Sequence, residues 1–129
     1  MNSWKTRISE KFKRFFWHGF WTDPLIFFSV VLAILANAGL WAVLYSTVTP
    51  TDMPIILHYN IYFGVDSVGS WKSLFFMPTL SAGLLVVNLV LARFFYYKER
   101  VAAYLFAGAT LLLQLLMAVG VVSAIIINF

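Results

Sequence analysis

Three long apolar runs decide what this chain can become. They cover about residues 24–45, 74–95 and 101–127. Each holds roughly 20 or more mainly apolar residues, enough as a helix to cross about 30 Å of hydrocarbon. Hydrophobic residues make up 62% of the chain and charged residues 11%, where a soluble domain carries about 25% charged residues. So few charges could not cover so much apolar surface in water. The fold class that follows is an all-α integral membrane protein with three transmembrane helices, forming a single membrane domain over residues 1–129. Cysteine is absent, which excludes disulfides, thiolate metal sites and cysteine nucleophiles.

Local signals support the three spans. Thr22-Asp23-Pro24 opens the first with a capping residue and a proline at the first helical position. Pro78 falls in the first turns of the second, where its missing N–H costs little and marks a kink or a late start. The third is longer than needed and is expected to tilt, or to fray near Asn128. Ala36-Asn37-Ala38 mimics a signal-peptide cleavage site, but the apolar run continues through the residues beyond it. The first span therefore reads as retained.

Orientation follows from the cations. Lys5, Arg7, Lys11, Lys13 and Arg14 precede the first span, and Arg93, Lys98 and Arg100 flank the turn at residues 96–100. Only Lys72, of nine basic residues, lies in the connection at residues 46–73. The positive-inside rule predicts an N-in, C-out protein of the cytoplasmic (inner) membrane.

Residues 3–22 read as an interfacial amphipathic helix. At helical spacing Trp4, Ile8, Phe12, Phe15 and Phe16 share one arc, and Arg7, Lys11, Arg14 and His18 a neighbouring one. Bulky apolar residues interleaved with cations suit an anionic cytoplasmic leaflet rather than nucleic acid. Trp4, Lys11, Phe12, Arg14 and Phe15 are the expected membrane-surface residues, with His18 interfacial.

Inside the spans, Asn37, Asn88 and Gln114 stand out, one amide per helix. They read as interhelical hydrogen-bonding groups. A transport pathway would call for acidic or basic residues at mid-span, and none is present. Small residues four apart (Ala38 and Ala42, Ala103 and Ala107, Gly120 and Ala124) allow close helix approach within the chain or between copies.

The connection 46–73 is the one chemically mixed stretch. From Ile55 to Phe63, apolar residues alternate with Ile56, His58, Asn60 and Tyr62, a strand-like pattern with one apolar face. Such a segment must lie at the interface or pair with something. Gly64, Asp66 and Gly69 read as turn residues. His58 and Asn60 are placed to hydrogen-bond Asp66 or main-chain groups. His58, Asp66 and Asp52 are too few for a zinc site, so no metal or other cofactor is expected. Ser67 and Ser70 lack a nucleophile context, so no catalytic residue is assigned and the chain reads as non-enzymatic.

His58, Tyr59, Asn60, Asp66, Gly69 and Ser70, with Lys72 just beyond, resemble the outward loop of the bacterial membrane domain found in SdpI-type immunity and signal-transduction proteins. The likeness covers about a third of the chain. It implies membrane location and a role in envelope sensing or toxin immunity. From the residues themselves the expectation is a small subunit or accessory factor, acting through helix packing and its outward loop on other membrane subunits or on copies of itself. The alternatives are an immunity or sensing protein that binds a peptide or toxin, and a component of an oligomeric transporter.

Overall fold

The computed structural model describes residues 3–17 and 19–129. Its elements are α1 (Ser3–Trp17), α2 (Pro24–Thr47), β1 (Ile55–Asn60), β2 (Gly64–Gly69), a short 3₁₀ helix (Trp71–Phe75), α3 (Phe76–Phe95) and α4 (Arg100–Asn128). Three helical segments, Pro24–Thr47, Trp71–Phe95 and Arg100–Asn128, are long and apolar enough to cross a bilayer.

Each helix has a local reason to start. The Asp23 carboxylate accepts the Leu25 N–H at 3.0 Å, and Pro24 occupies the first turn of α2. The 3₁₀ helix ahead of α3 is capped by the Ser70 hydroxyl, which accepts the Lys72 N–H at 3.3 Å. Pro78 then falls in the first turn of α3, where no intrahelical N–H is required. At the end of α4 the main-chain N–H of Phe129 bonds Ile125 O at 2.8 Å, so the helix continues to Asn128.

The helix α4 packs along both α2 and α3, which touch each other much less. Two apolar clusters fill the bundle. One joins Phe20, Ile26 and Val30 to Ala92, Tyr96, Ala103 and Ala107; the other joins Leu40, Leu44 and Val48 to Ile55, Leu74, Val121 and Ala124. Ala103, Ala107 and Ala124 are buried and bring α4 close to its neighbours, whereas Ala38 and Ala42 are exposed.

The all-α expectation is corrected in one place: β1 and β2 form a two-stranded antiparallel hairpin. The alternating run found its partner in residues 64–69, which pair Ile55 with Gly69 and Asn60 with Gly64. The turn also differs from expectation. Gly64 has φ +76°, the left-handed conformation that a three-residue hairpin loop requires. Asp66 and Gly69 instead lie within β2. Irregularities on either side of His58 break the strict alternation, and of the expected apolar face only Ile55 is buried.

Candidate functional site

The chemically distinctive surface is the hairpin and the helix ends beneath it. Asn60 closes the turn: its side-chain oxygen accepts the Tyr62 N–H at 2.8 Å. At the tip, Ile61, Tyr62 and Phe63 are 86%, 89% and 85% exposed, so this apolar triplet is covered by nothing among the described residues. Across the strands, His58 Nδ1 and Asp66 Oδ1 are 2.7 Å apart, with their side chains 65% and 42% exposed. A solvated pair of this kind contributes no more than about 1 kcal/mol to stability. Its consequence is orientation. A carboxylate only accepts, so the ring hydrogen sits on Nδ1 and Nε2 points away from Asp66. No group of three or more acidic or histidine side chains converges among the described residues.

The hairpin is fastened to the bundle by a residue with no obvious signal in the sequence. Ile56 N–H donates to Asn128 Oδ1 at 2.7 Å, and Asn128 Nδ2 donates to Ile56 O at 2.6 Å and to Ala124 O at 2.7 Å. The amide thus acts as a one-residue strand against β1 and as a cap on α4. Gly69 allows close approach on the other strand, since a Cβ there would lie 2.7 Å from Leu57 Cδ1. Behind the hairpin, Phe75 packs against Trp41 and Tyr45 with ring centroids at 5.8 and 5.2 Å. Between the hairpin and the ends of α3 and α4 lies a cavity of about 410 Å³, to which β1 contributes Leu57, His58 and Tyr59.

Two further polar arrangements hold the helices. At mid-bundle, Asn37 Nδ2 donates to Gln114 Oε1 (3.1 Å), Ser81 Oγ (2.9 Å) and Pro78 O (3.0 Å), while Gln114 Nε2 donates to Ser81 O at 2.9 Å. This layer joins all three helices between the two apolar clusters. Asn88 does not belong to it: it is half-buried, and none of the hydrogen bonds of this layer reaches it. Ser81, fully buried, replaces it as the contribution of α3.

At the end opposite the hairpin, Asp23 does more than cap α2. Its Oδ2 accepts the hydroxyls of Tyr104 at 2.6 Å and Tyr96 at 2.9 Å. Partial burial pushes the Asp23 carboxyl up. The hydrogen bonds from Tyr104, Tyr96, Leu25 N–H and Ile26 N–H outweigh it, leaving the pKa below the usual aspartate value. Burial, and then the bond to Asp23, push the Tyr96 hydroxyl up. Arg100 stacks over the Tyr96 ring at 4.9 Å.

The helix α1 presents Trp4, Ile8 and Phe12 at 60%, 56% and 65% exposure, beside exposed Lys11 and Arg14. The side chains of Phe15 and Phe16, and the whole of His18, lie outside the described residues.

These features define a helical protein with three candidate membrane spans and a hairpin clasped to one end. No family model, no curated protein and no solved structure matches the chain.

Proposed function

We propose that this is a small, non-enzymatic subunit or accessory factor of the cytoplasmic membrane that acts through its helix surfaces and its hairpin. In this reading the N-terminus and the α3–α4 turn face the cytoplasm, and the hairpin faces outward. The distribution of basic residues supports that orientation. The helix α1 lies on the anionic inner leaflet, its Trp4, Ile8 and Phe12 edge in the headgroup region and its cations toward lipid phosphates.

One observation carries the reading. The exposed triplet Ile61, Tyr62 and Phe63 is presented on a hairpin clasped by Asn128, instead of on a loose loop. Aromatic side chains on a fixed support lose little conformational freedom on contact, which suits protein recognition. The immunity or sensing reading draws on the same hairpin: no strand pairs with the far edge of β2 among the described residues, and such an edge can accept an extended peptide.

The test is a photo-crosslinking side chain at the position of Tyr62, irradiated in intact cells. A discrete adduct that disappears with Asn128→Ala supports recognition by a held hairpin. Adducts to lipid alone would contradict it and leave the hairpin as a membrane-surface cover for the bundle.

A further inference from the structure

The cavity under the hairpin has the make-up of a small-molecule site. Its volume, about 410 Å³, falls within the range of roughly 300–1,000 Å³ usual for such sites. Its walls are largely aliphatic: Leu57 from β1, Met77 from α3, Ala124 and Ile127 from α4. His58 and Ser123 share the lining and supply hydrogen-bonding groups. Asp66 engages Nδ1 at 2.7 Å, which leaves Nε2 as the ring nitrogen not taken up by Asp66.

Gly120 provides part of the space. A Cβ there would meet Met77 Sδ at 3.6 Å, an ordinary contact, so a methyl fits and a longer side chain would occupy the cavity. Gly120 lies about 12 Å along α4 from Asn128 at 1.5 Å per residue. The apolar floor is therefore set into the spanning part of the helix, while His58 stands at the exposed hairpin. The lining thus passes from Met77 and Gly120 at the floor to a mixed rim nearer the hairpin, where Ile127, Leu57 and Tyr59 accompany the hydrogen-bonding groups of His58 and Ser123.

We propose that this cavity binds a single-chain amphiphile whose head group donates a hydrogen bond, such as a monoacylglycerol or a long-chain alcohol. The chain end lies against Met77 and Gly120, and the hydroxyl donates to His58 Nε2 at the rim. This assignment uses neither the orientation nor the partner reading above, so either can fail without the other.

The test uses the purified full-length protein in phosphatidylcholine nanodiscs and a monoacylglycerol carrying a diazirine in its chain. After irradiation, adducts are expected to concentrate on Met77 and on residues 120–127. Excess unlabelled monoacylglycerol should suppress them roughly tenfold, equivalent to displacing most of the bound probe. Gly120→Leu should suppress them similarly while retaining the wild-type unfolding temperature. If that variant does not fold, competition on the wild-type protein decides the matter. His58→Phe, which keeps a ring and removes the acceptor, should weaken labelling severalfold. Adducts spread over every lipid-facing helix surface, or insensitive to competitor, would overturn the site. Equal competition by a chain-matched alkane would overturn the head-group assignment.

Discussion

Asn128 satisfies both main-chain hydrogen-bonding groups of Ile56, at 2.7 and 2.6 Å, across 72 residues of sequence. A two-stranded hairpin is marginal alone in water. Here a helix-terminal amide supplies the next rung of the ladder, so the order of the hairpin depends on the end of α4. Asn128→Ala is expected to leave the helices intact and to loosen the hairpin by about 1–3 kcal/mol, the cost of stranding partly buried main-chain groups. Amide hydrogen exchange at Ile56 and the surrounding strand reports this directly. Unchanged protection would mean that the aromatic packing behind the hairpin holds it unaided.

The turn makes a sharper prediction about residue type. Gly64 sits at φ +76°, and a methyl group added to its α-carbon would meet only open space, so backbone strain alone opposes a side chain there. Gly64→Val should cost about 1–2 kcal/mol, whereas Gly64→Asn, which tolerates the left-handed region, should cost less. Denaturation of the two variants, followed by near-ultraviolet circular dichroism, separates them. Equal cost would show that the turn changes conformation.

The mid-bundle layer couples helices that are distant in sequence. Replacing Asn37 or Gln114 by Leu should destabilise the bundle by about 1–2 kcal/mol. The double replacement should cost less than the sum, because either single change already removes the Asn37–Gln114 bond and leaves one amide group of the other short of that partner. Thermal unfolding in detergent measures the cycle. Strict additivity would show that the two amides do not act as a unit.

The spans were legible because an apolar run of helical length has few other fates. The hairpin was half legible. Residues 55–60 alternate as a strand should, but their partner reads GVDSVG, whose glycines and polar residues resemble a turn more than a strand. Asn37 and Gln114 were recognisable as unusual amides within apolar helices. Asn88 is equally unusual, yet it does not join their layer, because depth and rotation decide which amides meet. Asn128 resembles a fraying helix end. Its role exists only once Ile56 is beside it. Tyr96 and Tyr104 resemble interfacial aromatics until the fold brings them to Asp23, 73 and 81 residues away.

That last cluster predicts acid sensitivity with a definite sign. The Asp23 pKa is depressed in the fold. Its contribution is therefore fully present above the unfolded-state aspartate value and is lost as pH falls through the folded value. Asp23→Asn should lower the unfolding temperature at neutral pH, by an amount corresponding to about 1–3 kcal/mol for a cap and charged hydrogen bonds. The gap from wild type should close at strongly acid pH. A gap independent of pH would mean that the carboxylate charge plays no part in the clasp.

The most direct test of the account as a whole is where the hairpin stands relative to the membrane. The chain has no cysteine, so Ser67→Cys in β2 and Lys98→Cys in the α3–α4 turn each introduce a unique thiol at an exposed position. Intact cells are treated with a membrane-impermeant maleimide before and after lysis. The account predicts that Ser67→Cys is modified in intact cells and that Lys98→Cys is modified only after lysis. The reverse pattern would place the hairpin in the cytoplasm and contradict an outward recognition surface.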